Sequence, residues 1–159
     1  MKIGRKYIED EYGVLYSEDG AVLLGYNREV FHCVEYRIKD GVKILAANAF
    51  HHCQSLKSIS MSDSVTEDEG SIFEDCKNLE EARVSANLKN PDVAMFSGCS
   101  SLRYVELQEG LESIGENMFY GCTGIWFVLK EISKGDCDGI CNEFLCEIRR
   151  PDNGEIDYV

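Results

Sequence analysis

The chain has 159 residues, the length of one domain, and its 44% hydrophobic content with only 2 Pro predicts a folded core rather than disorder. A formal net charge of −13 without a concentrated basic patch argues against nucleic acid as a partner, because the phosphate backbone would be repelled. No stretch approaches the roughly 20 apolar residues of a membrane span, and charges between Tyr7 and Glu11 interrupt the apolar segment that a signal peptide requires, which favours the cytoplasm.

Residues 13–27 have the sequence pattern of a β-hairpin. Val14 to Tyr16 and Val22 to Tyr26 are rich in strand-forming residues, and the four residues 17–20 between them favour a turn. Because this hairpin precedes the repeats described next, we expect residues 1–32 to form an N-terminal cap. Such a cap would cover the open apolar end and the unpaired strand edge of the first repeat.

The motif Phe-x-x-Cys-x-x-Leu recurs with a constant offset of 23 residues. Its four copies begin at Phe50, Phe73, Phe96 and Phe119, with Ile125 in the place of the last Leu. An apolar residue stands eight positions before each Phe: Val42, Val65, Leu88 and Leu111. A fixed period of this length is typical of a solenoid, in which each unit buries its apolar face against its neighbours. We therefore predict one domain with repeats over 33–129.

Each unit is predicted to contain one strand and one short helical turn. Period-2 alternation after the Leu, as at 59–61, predicts the strands of a parallel sheet, with one strand per unit. The segment around Phe-x-x-Cys is predicted to form a short helical turn, and Gly98 and Gly121 suit left-handed C-caps. Residues 33–38 have the spacing of the strand of a degenerate first unit, in which Asn27 stands in the place of Phe.

Four of the eight cysteines occupy one position of the repeat: Cys53, Cys76, Cys99 and Cys122. Equivalent residues in neighbouring coils lie about 4.7–4.9 Å apart, which is within the Cα range of a disulfide. Their side chains run parallel, however, so that a bridge would require changes of rotamer and backbone. We therefore expect buried, reduced thiols that act as small hydrophobic residues.

From Lys130 onward the period fades, and residues 130–159 are predicted to form an irregular C-terminal cap with an acidic tail. Alternation of Phe144, Cys146 and Ile148 suggests a last strand. Cys137, Cys141 and Cys146 have a spacing that fits no common zinc motif, so that one disulfide or buried thiols are both compatible with it.

His51-His52-Cys53, with His32-Cys33 nearby, contains side chains that can bind a metal. Zinc motifs require paired ligands at set spacings, and Cys53 belongs to the buried row of cysteines, so we predict no metal here and no cofactor. Nucleophilic catalysis by a Cys would need a His and an orienting partner in a cleft. The repeat cysteines face the core, so we predict that the protein is not an enzyme.

The segment 111–125 resembles the repeat of the BspA-like leucine-rich repeat family. It contains Leu111, Ile114-Gly115, Met118-Phe119, Cys122 and Ile125 at the family's positions, and the resemblance covers about residues 13–129. The resemblance implies an α/β solenoid of bacterial type, with the parallel sheet on the concave side and short helical turns opposite. It also implies adhesion or protein binding rather than catalysis, in proteins that are often exported or surface-attached.

The outward face of the sheet is the predicted binding site, because a strand places alternate residues on opposite sides. With residues such as Ile59 pointing inward, we expect Phe127 to follow Tyr104 in one outward column and Leu129 to follow Glu106 in the next. The predicted binding residues are Glu35, Arg37, Glu81, Arg83, Tyr104, Glu106, Trp126, Phe127 and Leu129. The apolar patch at Tyr104 and Phe127 is either open to a partner or covered by the C-terminal segment.

Three functional hypotheses follow from these patterns. The first is a non-enzymatic protein-interaction scaffold that binds a polypeptide partner through the concave sheet face. The alternative is a structural, self-assembling or surface-adhesion module that uses exposed strand edges or the apolar patch. A metal-dependent enzyme is the third and has the least support.

Overall fold

A computed structural model of the protein describes residues 6–108, 110–129, 147–149 and 156–158, and for the strands that begin at Trp126 and later it describes the backbone alone. These residues contain twelve strands and no helix. The strands are β1 Tyr7–Glu9, β2 Val14–Ser17, β3 Val22–Tyr26, β4 Glu35–Arg37, β5 Ile44–Leu45, β6 Ser58–Ser60, β7 Glu67–Asp68, β8 Glu81–Arg83, β9 Tyr104–Leu107, β10 Trp126–Leu129, β11 Glu147–Arg149 and β12 Ile156–Tyr158.

A seven-stranded sheet, with the order β12-β11-β10-β9-β8-β6-β4, runs along the solenoid. All its neighbouring pairs are parallel except β11 with β12. From β4 to β9 each strand residue pairs with the residue 23 positions further along the chain. Glu35, Ser58, Glu81 and Tyr104 therefore lie side by side. The predicted solenoid with a parallel sheet is therefore confirmed. Each unit contributes one strand to this sheet, but the units that contain Val42 and Val65 each have a second strand, β5 and β7, which the sequence did not predict.

A second sheet of five strands has the order β1-β2-β3-β5-β7. Its strands β2 and β3 pair antiparallel, as predicted for the hairpin. Strand β3 then pairs in parallel with β5, and β5 with β7, so the hairpin continues a sheet that the repeats themselves build. The short strands of this sheet follow the apolar residues Val42 and Val65, which are fully buried.

The core contains a row of phenylalanine rings. Phe50, Phe73, Phe96 and Phe119 are stacked with centroid separations of 5.5, 5.4 and 5.7 Å and interplanar angles of 12°, 9° and 5°. Tyr26 of the hairpin stacks on Phe50 in the same way, at 5.6 Å and 12°. It thus supplies the ring that Asn27, the residue at the repeat position, does not provide. This alignment is what a solenoid requires, because each coil buries the same face against its neighbours.

The segments around Phe-x-x-Cys are turns, and the predicted short helical turns are not confirmed in the described residues. Their amides alternate between the next coil and the segment itself. Phe50 N bonds to Ile72 O in the next coil at 2.8 Å, whereas His51 N bonds to Asn48 O within the segment at 3.0 Å. Two residues in each coil have a left-handed backbone. The first stands two positions before the Phe and the second stands two positions after it, and together they interrupt a right-handed helix. They are Asn48, Ser71, Ala94, Asn117, His52, Asp75, Gly98 and Gly121.

The cysteine row is buried and reduced, as predicted: Cys53, Cys76, Cys99 and Cys122 are all free. The thiols of the last three each donate to the carbonyl of the Phe 26 residues earlier, at 3.0–3.1 Å, for example Cys99 to Phe73. Burial raises the pKa of Cys122 to about 12 and also raises that of Cys53. Cys137, Cys141 and Cys146 lie outside the described residues.

Candidate functional site

The outward face of the seven-stranded sheet consists of the strand residues that alternate with buried core residues. The middle residue of each strand, such as Ile59 or Val105, is buried in the core. The residues on either side of it therefore face outward. They form one column of Glu35, Ser58, Glu81 and Tyr104 and a second of Arg37, Ser60, Arg83 and Glu106.

Charge is arranged in two strips on this face. Glu35 and Glu81 lie in the first column and are exposed, while Arg37 and Arg83 lie in the second. Since neighbouring strands are about 4.8 Å apart, residues of like charge within a column are separated by roughly 10 Å. Tyr104 follows Glu81 in the first column, with 41% of its surface exposed. An acidic strip thus lies beside a basic one, with an aromatic ring at one end.

Arg83 is fixed in place by its neighbours. Its Nη1 donates to Met61 O at 2.8 Å, and its two terminal nitrogens each lie 3.3 Å from an oxygen of Asp63. The amide of Ala86 and then Arg83 itself hold the pKa of Asp63 below its usual value. A guanidinium that a carbonyl and a carboxylate already hold loses little further conformational freedom when a ligand binds.

The remaining charged residues of the second column also have close neighbours. Arg37 lies 3.5 Å from Asp40, and Gln108 donates a 2.7 Å hydrogen bond to Glu106. These contacts are exposed or half-buried, so they orient the side chains without adding much stability.

The strand register changes by one residue at the end of the repeats. Trp126 lies opposite Tyr104, whereas we expected Phe127 there, and Phe127 and Leu129 lie opposite the buried Val105 and Leu107. The reason is a shorter link, because β10 begins one residue after the buried Ile125 while the earlier strands begin two residues after their Leu. The side chains of Trp126, Phe127 and Leu129 lie outside the described residues.

The described part of the C-terminal region continues the sheet. Strand β11 pairs in parallel with β10, and β12 pairs antiparallel with β11. Ile148 lies within β11, in the segment whose alternation suggested a last strand. The other two residues of that pattern, Phe144 and Cys146, lie outside the described residues.

A second cluster lies on the turn that follows Phe50. The possible ligand atoms of His51, His52 and Asp75 are all within 4.8 Å of one another. His52 Nε2 is 3.7 Å from Asp75 Oδ2, and the two imidazole rings are 4.0 Å apart. Sequence reasoning had considered the two histidines together with Cys53 and missed Asp75. The repeat period could have found it, since Asp75 follows His52 by one coil of 23 residues.

Residues 29–133 match the family described as the BspA type leucine rich repeat region, in six copies. The chain belongs to this family. Its repeats fill the described solenoid from the first, degenerate unit to strand β10. BspA-type and other leucine-rich repeat proteins are generally interaction or surface modules. No curated protein matches the chain.

Solved structures of bacterial leucine-rich repeat proteins share this BspA-type fold. A leucine rich cell surface protein from Faecalibacterium prausnitzii is 24% identical with a TM-score of 0.70, over 92% of this chain and 40% of its own. The pneumococcal vaccine antigen PcpA is 20% identical with a TM-score of 0.72, over 82% and 32%. A leucine rich repeat protein from T. pallidum is 23% identical with a TM-score of 0.64, over 95% and 71%.

At these identities the similarity concerns the fold. The chain spans less than half of the F. prausnitzii and pneumococcal proteins. Within the part of the chain that the structure describes, no helix has the length and apolar character needed to cross a membrane.

Proposed function

We propose that this chain is a non-enzymatic interaction module that binds a polypeptide through the outward face of its seven-stranded sheet. The observation that carries this proposal is the pair of charged strips, with Glu35 and Glu81 in one and Arg37 and Arg83 in the other. A family whose members are generally interaction or surface modules supports it.

The chemistry of the face favours an extended, dipolar peptide. Peptide charges at roughly 10 Å spacing would align with Glu35 and Glu81 or with Arg37 and Arg83, because electrostatic complementarity sets orientation and specificity. Tyr104 would supply the apolar contact, since exposed aromatic rings on a rigid support are common anchors at interfaces. By register, Trp126 follows Tyr104 in the same column and extends this end of the face.

The experiment is selection of peptides from a random display library on the immobilised protein, followed by affinity measurements on variants. Tyr104→Ala and Arg83→Ala are each expected to weaken binding of the selected peptides by at least about tenfold. This is the effect of losing one interface contact worth about 1.4 kcal/mol. Tyr120→Ala is the matched control, because Tyr120 is an exposed aromatic residue on a turn away from the sheet. Peptides that bind Tyr104→Ala and Arg83→Ala as tightly as the parent would contradict the proposal.

Self-association is a second candidate, favoured by a specific edge. Strand β1 is one of the two outer strands of the five-stranded sheet, and all three of its residues are exposed, including Tyr7 and Ile8. An exposed edge with apolar side chains can pair with another chain. Sedimentation over a concentration series, with Ile8→Lys as the comparison, tests this. We expect the Lys variant to be monomeric. A parent protein that is itself monomeric at all concentrations would exclude self-association.

A further inference from the structure

We propose that His51, His52 and Asp75 form a binding site for one divalent transition-metal ion of the class represented by Zn²⁺. Two imidazole nitrogens and a carboxylate oxygen are ligands that this class accepts. The site lies on the turns between the Phe and Cys positions of two neighbouring coils, and it shares no residue with the sheet face proposed for polypeptide binding.

The separations between the three side chains are close to those of a metal site. Zinc binds its nitrogen and oxygen ligands at 2.0–2.2 Å, so two ligands of a tetrahedral ion lie about 3.4 Å apart. His52 Nε2 and Asp75 Oδ2 are 3.7 Å apart, and no pair of ligand atoms in the cluster exceeds 4.8 Å. The longest separation exceeds the tetrahedral value by up to about 1.4 Å, so binding an ion requires the three side chains to draw together.

The backbone holds two of the ligands in equivalent positions. His52 and Asp75 stand one coil apart, and both have a left-handed φ of 57°. Each amide bonds to the coil that follows, His52 N to Glu74 O at 2.9 Å and Asp75 N to Ser97 O at 2.8 Å. The two side chains therefore leave adjacent coils from the same backbone geometry, and the scaffold that presents them is formed before an ion arrives.

The next coil leaves room for the carboxylate. Gly98 occupies the position that His52 and Asp75 hold in their coils, and a Cβ at Gly98 would clash with Asp75 Oδ1. Asp75 can take its observed position because that residue has no side chain. Gly98 and Gly121 also show that the fold accepts glycine at this place, with φ of 74° and 75°.

The site is open to solvent and its charges are mixed. The side chains of His52 and Asp75 are 46% and 37% exposed, so an ion can enter directly. Arg28, whose Nη2 lies 3.4 Å from His51 O, opposes a cation, whereas the Asp75 carboxylate and the net charge of −13 favour one. Three protein ligands leave the fourth position of a tetrahedral ion to water or to a partner's side chain.

The test uses residues that the protein already places at these positions. His52→Gly and Asp75→Gly copy Gly98, and His51→Ser copies Ser97, so each variant removes one ligand while keeping a residue that the repeat accommodates. His32→Ser is the matched control, because His32 is exposed, lies outside the cluster and is aligned with Ser55 and Ser101. Binding of Zn²⁺ and Co²⁺ is measured by equilibrium dialysis with elemental analysis, on protein stripped with a chelator and held under reducing conditions.

We expect one ion per chain in the parent and in His32→Ser. Loss of an outer-shell partner alone costs about 10–100-fold in metal affinity, so each ligand variant should weaken binding by at least that factor. The cobalt complex of the parent should lack a thiolate charge-transfer band, which separates this site from the cysteines that all variants share. Absence of a stoichiometric ion in the parent, or unchanged affinity in Asp75→Gly, would overturn the proposal.

Discussion

The hydroxyl of Tyr36 donates a 2.7 Å hydrogen bond to Oδ2 of Asp10. Asp10 follows strand β1 of the five-stranded sheet and Tyr36 lies in β4 of the seven-stranded sheet, so this bond joins the two sheets. The hydroxyl of Tyr16 in β2 lies 2.5 Å from that of Tyr36 and extends the network. Burial raises the pKa of Tyr16 to about 12, and burial together with these hydrogen bonds raises that of Tyr36. Both hydroxyls therefore remain protonated at neutral pH.

Removing the central hydroxyl should destabilise the protein. Tyr36→Phe removes one hydrogen-bond partner of the Tyr16 hydroxyl and one donor to Asp10, and a buried polar group left unsatisfied costs about 1–3 kcal/mol. Urea unfolding should show this loss in the free energy of unfolding. Tyr104→Phe is the control, because its hydroxyl is on an exposed ring and its removal should change stability little. Equal effects of the two variants would mean that the buried network contributes nothing.

The phenylalanine row should account for a large share of the stability. Phe73 is stacked between Phe50 and Phe96 and is fully buried, so Phe73→Ala should lower the free energy of unfolding by about 3–5 kcal/mol. Phe73→Leu, which keeps a large apolar side chain, should lose less. Tyr120→Ala, at an exposed ring, should stay within about 0.5 kcal/mol of the parent. Thermal and urea unfolding provide the measurement, and a small effect of Phe73→Ala would contradict a continuous core.

The cysteine row should resist alkylation in the folded protein. A pKa of about 12 for Cys122, against an ordinary value of 9.0, lowers its thiolate fraction at neutral pH by about a thousandfold, since each pKa unit is a factor of ten. Cys33 is only half-buried and should react before the four cysteines of the row. Iodoacetamide labelling with peptide mass spectrometry gives the order, and the same reaction in urea shows that every thiol can react. Labelling of Cys122 before Cys33 in the folded state would refute this order.

Asp68 should make stability depend on pH. It occupies a strand position of the five-stranded sheet where Leu45 stands one coil earlier, and desolvation raises its pKa although the amides of Asp92 and Gly70 donate to it. The folded state therefore holds this proton more tightly than the unfolded state. Its contribution to stability is present below the ordinary value of 3.8 and is lost as pH rises through the folded pKa.

Asp68→Asn keeps one of the two acceptor oxygens and removes the half-buried charge. We expect it to be more stable than the parent at neutral pH, with the difference shrinking as pH falls toward 4. Urea unfolding at several pH values measures this difference, and Glu67→Gln, at an exposed neighbour on the same strand, serves as the control. A difference between Asp68→Asn and the parent that does not vary with pH would rule out this titration.

The periodic side chains predicted the core correctly. Phe50 and Phe73 recur at the repeat length because each coil must bury the same face, and that requirement determines the residue type at these positions. The residue types do not show which carbonyl each backbone amide bonds to. Phe50 N bonds to Ile72 O in the following coil, and the local sequence around Phe50, which is compatible with a helical turn, does not reveal this.

The candidate site was predicted in part for a similar reason. Counting by 23 places Glu35, Glu81 and Tyr104 on the outward face as far as β9, but it fails when one residue is missing from the link after Ile125. A deletion inside a link leaves apolar residues on both sides and so gives no clear signal. Asp75 was missed because ligands were sought at short separations, whereas neighbours in a solenoid are one period apart.

The stacking of Tyr26 on Phe50 decides where this protein can be shortened. A fragment that begins after Tyr26 would leave one side of the Phe50 ring facing water, together with the edge of β5 from which β3 had been removed. Uncovered aromatic surface beside an unpaired strand favours aggregation. Expression boundaries for the repeats should therefore be drawn upstream of the hairpin, even though the recognisable motif starts later.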